Sequence, residues 1–299
     1  MRRTAACLLF LIGCSSSSSS DPAPTPDAST SLPTTFGGDR STELRVPANY
    51  DAKKPAPLLL VLHGYGSGGV LNDVYMHMTS IADAQGFFYV SPDGLIDKSG
   101  KHFWNATDEC CNFDGSTVDD VAYLTKLVDD IRAVYAIDPK RIYVLGHSNG
   151  GYMANRLACD RADLFAAVVS WAGGNWIDTK KCNPSGPIGY LQMHGIKDGT
   201  VPYPPGEGPT GSLKYPGAEG TVAGWAAKNG CGATLTPTGE TLRVSADAKG
   251  PDTKVARHDG CKDNGSAELW PVEGADHIFS FSPEAVDAIW KFFVAHPKP

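Results

Sequence analysis

The chain has 299 residues, 41 % apolar and 20 % charged, with a net charge of −7. This composition is that of a soluble globular protein, and the length left after the N-terminal segment is enough to bury a substantial core. A negative balance with no basic patch argues against a nucleic-acid partner. Arg2 and Arg3 precede a short apolar stretch, Ala5 to Ile12. It is too short to span a bilayer, which needs about 20 apolar residues, and reads as an export signal. The run Leu11-Ile12-Gly13-Cys14 has the form of a lipobox, with cleavage before Cys14 and acylation of that cysteine. Residues 1–14 are therefore expected to be a lipoprotein signal, giving the protein a membrane partner through its lipid anchor. Residues 15–35, rich in Ser, Pro, Thr and Asp, read as a disordered tether. Residues 36–299 form the expected catalytic domain.

Within that domain apolar runs alternate with helical periodicity, which predicts an α/β fold: a mostly parallel sheet with helices on both faces, in three layers. Strands are expected at 58–62, 87–91, 141–145, 166–171, 188–193, 253–258 and 267–271. Helices are expected at 70–84, 118–135, 149–159, 218–229 and 283–295. Asp119 and Asp120 fall in the first turn of the second helix, where negative charge suits the helix dipole. Ser282 is the expected cap of the last helix. Of the eight cysteines, Cys7 leaves with the signal and Cys14 takes lipid. The remaining six read as disulfides in an exported protein, and six cysteines allow 15 pairings. Cys231–Cys261 is the best single pair. Cys110 and Cys111 are neighbours, so each is expected to pair elsewhere, with Cys159 and Cys182. There is no CxxC pair and no HxxxH helix, so no metal site is expected.

The strongest signal is Gly146-His147-Ser148-Asn149-Gly150-Gly151, a G-x-S-x-G element between a buried strand and a helix. A turn that sharp tolerates only small residues beside the serine. It lifts the hydroxyl of Ser148 clear of the backbone, as a nucleophile requires. A free serine hydroxyl is a weak nucleophile and needs a base. In this strand–turn–helix context the acid and then the base follow the serine along the chain. Asp198, in a polar loop after the 188–193 strand, is the expected acid. His277, between the last strand and the last helix, is the expected base. His147 and His194 are read as structural. The oxyanion donors are expected to be the backbone N–H groups of Asn149 and Tyr65. Trp104 and Trp171 are candidate substrate-facing aromatics.

These stretches resemble the secreted polyhydroxybutyrate-depolymerase and feruloyl-esterase type of α/β-hydrolase. The likeness is carried by LLLVLHGYGSGG, by WNATDECCNFDGSTVDDVAYL with its adjacent cysteines, by GHSNGGYM, by HGIKDGTVPY and by a late KNGC…GC pair. It spans roughly residues 40 to 295. It implies the same Ser148, Asp198 and His277, and hydrolysis through an acyl-enzyme with no cofactor. The implied substrates are polyhydroxybutyrate-type esters or hydroxycinnamoyl and acetyl esters of polysaccharides. Where members of the group often carry Trp-Pro after the base, this chain has Ile278-Phe279, and 203–216 is unusually rich in Pro and Gly. The competing readings are a non-catalytic cell-surface binding protein on a hydrolase scaffold, or a serine peptidase or lipase. The complete Ser, Asp and His set speaks against the first. The lack of a large apolar lid segment speaks against a long-chain lipase.

Overall fold

The computed structural model describes residues 32–207 and 214–299. The expected signal, Cys14 and the tether up to residue 31 lie outside the described residues, as does 208–213 within the Pro- and Gly-rich loop. The tether was expected to reach residue 35, but the first strand already starts at Thr35.

The strands of the main sheet, in chain order, are β1 (Thr35–Phe36), β2 (Thr42–Arg45), β3 (Ala56–Leu62), β4 (Phe88–Val90) and β5 (Ile137–His147). They continue with β6 (Ala167–Trp171), β7 (Gly189–Gly195), β8 (Leu235–Leu242), β9 (Thr253–His258) and β10 (Glu268–Val272). Their spatial order is β1-β2-β4-β3-β5-β6-β7-β10-β9-β8. The stretch from β4 to β10 is parallel throughout. The strands outside it at both edges pair antiparallel.

Alternation along β3 explains the layers. Leu58, Leu60 and Leu62 point into one core with Val144 and Val168, and Leu59 and Val61 point into the other with Leu145 and Val169. The first core is closed by α2 (Asp120–Val134), α3 (Asn149–Asp160) and α4 (Gly217–Lys228), through Leu124, Leu157 and Trp225. The second is closed by α1 (Gly69–Met76) and α5 (Pro283–Ala295), through Met76, Ile289 and Phe293. A strand buried on both faces has no polar side to show, which is why these runs are continuously apolar.

Three expectations are corrected. The helix expected over 70–84 is interrupted at His77, which sits at φ 54°. Asp73 takes the Thr79 N–H at 2.9 Å, and the chain then continues in short turns to Gln85. The edge strand β8 was not anticipated, because it carries Pro237 and Gly239 and is mostly exposed, so it has no apolar rhythm. Cys110 and Cys111 bond to each other across a cis peptide, not to distant partners. The reason lies with the other two: the Cα atoms of Cys159 on α3 and Cys182 stand 5.0 Å apart, within the usual disulfide span. They satisfy each other and leave the neighbours to pair. Cys231 bonds Cys261, as expected.

The two aspartates at the start of α2 also divide their work. Asp119 caps the helix by accepting the Ala122 N–H. Asp120 does more than complement the dipole: it is buried, bonds Arg40 at 2.6 Å and accepts the Asn105 N–H at 2.7 Å. It thereby ties the N-terminal strands and the 105–118 loop to the helix. Asp120→Ala leaves a largely buried guanidinium unpaired, and is expected to cost about 3 kcal/mol. A urea titration at pH 7 reads this as a lower midpoint with unchanged slope.

Candidate active site

The turn after β5 is set by contacts that allow no side chain. A Cβ on Gly146 would stand 2.0 Å from the Gly150 carbonyl oxygen, and a Cβ on Gly150 would stand 2.2 Å from the Leu62 carbonyl oxygen. The turn is thus wedged against the end of β3. Ser148 pays for this with a backbone at φ 56°, ψ −118°, a region that residues with a Cβ rarely occupy. Its N–H donates to the Trp171 carbonyl at 2.8 Å, fastening it to the end of β6.

The structure brings Ser148, His277 and Asp198 together across 129 and 79 residues of sequence separation. The Ser148 Oγ lies 2.9 Å from His277 Nε2, and His277 Nδ1 lies 2.7 Å from Asp198 Oδ2. An ionised carboxylate only accepts, so Nδ1 carries the proton and Nε2 is left to accept from the Ser148 hydroxyl. Asp198 Oδ1 accepts the N–H groups of Thr200 and Val201 at 2.8 and 2.7 Å. Burial would raise this carboxyl, but hydrogen bonds from His194 and His277 outweigh it and hold it well below the usual carboxylate range.

His194 was read from sequence as structural only, yet it faces the acid. The Gln192 amide donates to its Nδ1 at 3.1 Å, so Nε2 bears the hydrogen. That Nε2 lies 2.8 Å from the Val201 carbonyl and 3.3 Å from Asp198 Oδ2. The available signal was its position at the end of a buried strand, four residues before Asp198.

Two further contacts hold the loops. Asp276 Oδ1 accepts the N–H groups of both Gly199 and His277. His147, buried under the site, donates from Nε2 to the His277 carbonyl at 3.1 Å, and its Nδ1 lies 3.3 Å from the Tyr75 hydroxyl.

The two expected oxyanion donors flank the serine. The Asn149 N–H opens α3, where it has no intrahelical acceptor. The Tyr65 N–H lies in the loop after β3, and among the described residues no hydrogen-bond acceptor takes it. The cleft over Ser148 has a volume of about 340 Å³. Tyr65, Tyr75, Phe113 and Ile278 give it an apolar wall, with Cys111 and Thr200 beside them. Phe113 and Ile278 are 53 % and 65 % exposed; Ile278 stands where the resemblance marked a departure after the base, and Phe113 was not singled out by the sequence.

Trp104 and Trp171, the aromatics expected to face substrate, do not line this cleft and are fully buried. Trp104 donates from Nε1 to the His63 carbonyl. Trp171 packs under His147, with ring centroids 4.0 Å apart. The two rings belong to the cores on opposite faces of the sheet, Trp104 with Leu62 and Trp171 with Val61. A larger groove of about 580 Å³, between β8–β10 and α5, holds none of the Ser148 set.

A ten-stranded, centrally parallel sheet with a strained serine at a strand–helix turn defines an α/β-hydrolase. The acetyl xylan esterase of Aspergillus awamori shares this fold, with a TM-score of 0.59 at 17 % identity, over 89 % of this chain and 98 % of that one. The model of the prolyl oligopeptidase family matches residues 73–185, fewer than half of the chain. The probable feruloyl esterase C of Aspergillus oryzae is 31 % identical over 265 residues, which is 86 % of this chain and 84 % of that protein. The feruloyl esterase B of Piromyces equi is 28 % identical over 244 residues, 80 % of this chain. The chain spans 42 % of the Piromyces protein and 52 % of a relative from Nocardia uniformis. The protein belongs to the esterase-type α/β-hydrolase family that contains these feruloyl esterases.

The buried histidines around the site make stability depend on pH. Burial is the main cause that pushes His63 down to about 4 and His147 down to about 3, from an ordinary value of 6.5. Between those values the unfolded chain binds more protons than the folded one. Their contribution to stability is therefore complete above the ordinary value and is lost as pH falls toward the folded values. The slope is about 1.4 kcal/mol per pH unit for each histidine. Urea midpoints taken from pH 7.5 down to pH 5 are expected to fall, and His147→Gln to flatten that decline by one histidine's share. An unaltered slope in the variant would assign the titration elsewhere.

Proposed function

We propose that the protein is an exported serine carboxylic ester hydrolase acting through an acyl-enzyme. The observation that carries this reading is the unbroken line from Asp198 through His277 to the Ser148 hydroxyl. His277 takes the Ser148 proton as the oxygen attacks the ester carbonyl. Asp198 holds the imidazole in the right tautomer and stabilises its charged form without taking the proton. The N–H groups of Tyr65 and Asn149 receive the negative oxygen of the tetrahedral intermediate. The charged His277 then protonates the leaving alcohol. Water, deprotonated by the same histidine, releases the acid from Ser148.

The substrates of this reading are hydroxycinnamoyl or acetyl esters on polysaccharides. Relatives named feruloyl esterase, and a fungal one named bifunctional acetylxylan esterase/xylanase, support those acyl groups over 3-hydroxybutyrate. The aromatic and aliphatic wall of Tyr65, Tyr75, Phe113 and Ile278 suits a flat apolar acyl chain. Export is supported by three disulfides, which persist in oxidising compartments. Attachment through an acylated Cys14 belongs to the same proposal, and mass spectrometry of the N-terminal peptide tests it separately.

The test is hydrolysis of p-nitrophenyl acetate, methyl ferulate, acetylated xylan and a 3-hydroxybutyrate ester, with a prolyl peptide substrate alongside. Ser148→Ala is expected to lower kcat by ~10⁴-fold or more on every ester that turns over. Equal rates in the variant and the parent would overturn the mechanism. Cleavage of the peptide alone would replace the esterase reading with a peptidase one.

A further inference from the structure

The two oxyanion donors sit on separate parts of the chain: Tyr65 in the loop after β3, Asn149 at the start of α3. Their separation has to be held closely, because a donor misplaced by about 1 Å loses much of its hold on the developing charge. One element touches both. It is the hairpin formed by strands Leu95–Ile96 and His102–Phe103, with Gly94 and Trp104 at its ends.

At the Tyr65 loop the hairpin makes five bonds, the longest of them between the Tyr65 and Ser99 hydroxyls at 3.4 Å. The Gly94 N–H donates to His63 Nε2 at 2.9 Å, and Trp104 Nε1–H donates to the His63 carbonyl at 3.1 Å. The His102 carbonyl accepts the Gly66 N–H at 2.8 Å. Asp97 Oδ2 accepts the Tyr65 hydroxyl at 2.5 Å. The backbone is thus held on both sides of Tyr65, and the tyrosine ring is held at its tip. On the other side, Trp104 and Asn149 form a closed pair. The Trp104 N–H donates to Asn149 Oδ1 at 2.6 Å, and Asn149 Nδ2 donates to the Trp104 carbonyl at 3.0 Å.

Asp97 is prepared for its part. Its Oδ1 accepts the Ser99 N–H and hydroxyl and the Lys101 N–H, at 2.8, 2.7 and 3.0 Å. These fix the carboxylate to its own turn and leave Oδ2 for Tyr65. The Tyr65 ring is then flanked by Phe113 edge-on at 5.0 Å and by the Lys101 ammonium at 5.2 Å. Hydrogen bonds from Tyr65 first, then from Ser99 and Lys101, hold the Asp97 carboxyl well below the usual range, so it stays charged.

We propose that the hairpin 95–103 is a brace that sets the spacing of the two oxyanion donors, and that Asp97 is a positioning residue acting through the Tyr65 hydroxyl. The proposal rests on the ester-hydrolase reading above. It separates Asp97 from a merely structural group, because Asp97 lies near the surface, where such a bond contributes little to global stability. Its effect belongs in the transition state.

Tyr65→Phe tests this most cleanly. It keeps the ring, the Phe113 contact and the backbone N–H, and deletes the hydroxyl's bond to Asp97 together with its 3.4 Å contact to the Ser99 hydroxyl in the same turn. For p-nitrophenyl acetate the expected result is a fall in kcat on the order of 10-fold with KM unchanged. The affinity for a phenylboronic acid, which mimics the tetrahedral oxyanion, should weaken by the same factor while the thermal midpoint stays put. Asp97→Ala, which also removes the bonds within its own turn, should fall at least as far, and the double variant should be no worse than Asp97→Ala alone. An unchanged kcat in Tyr65→Phe, a loss that tracks a fallen thermal midpoint, or additive effects in the double variant would each overturn the brace. If the parent protein turns over no ester, the functional reading fails by itself. Boronate affinity in parent and Tyr65→Phe then still decides whether the hydroxyl tie sets the donors.

Discussion

The lack of room at positions 146 and 150 governs the rest of the site. Main-chain oxygens occupy the space that a side chain would need there. The chain can make the passage from β5 to α3 only as a very tight turn, and Ser148 has to accept a backbone conformation that the fold must impose on it. What imposes it is the sheet. The end of β3 presses on one side of the turn and the end of β6 bonds the Ser148 N–H on the other. A parallel sheet buried on both faces supplies the rigidity for this, and the loops at its C-terminal edge then bring in Asp198, His277 and Tyr65.

The site is built by accumulating modest bonds around that fixed point. Asp198 has every oxygen engaged, and His194 shares it with Val201. His147 grips the backbone of the loop that delivers His277, and Asp276 couples that loop to the one that delivers Asp198. Each group is neutral or paired, so the buried polar cluster carries little unsatisfied charge. The distance from acid to base is thereby set by neighbours that do not themselves meet substrate.

The central sheet and the glycine-flanked turn at Ser148 were legible in the sequence, because both are local signals, and the structure places the expected Asp198 and His277 in hydrogen-bond reach of that turn. A doubly buried strand must be apolar throughout, and a sharp turn must be rich in glycine. The features that were not legible depend on distant partners. Asp120 looks like an ordinary first-turn carboxylate until Arg40, 80 residues away, is found against it. Trp104 and Trp171 look like substrate aromatics because an aromatic beside a site motif does not reveal whether it faces in or out. Phe113 carries no motif, and only the folded loops place it over the serine beside Ile278, which the sequence flagged as following the base. The cysteine partners were obscured for the same reason, since closeness in sequence weighed against a bond that proximity of Cys159 and Cys182 left for the neighbours to make.

The two borders of the sheet have a consequence of their own. One ends in β1, only two residues long. The other ends in β8, where the register shifts between Pro237 and Thr241 and most side chains face solvent. A ladder needs a straight run of free donors and acceptors, and neither border offers one. Among the described residues neither border therefore offers a long, straight strand on which another copy could continue the ladder.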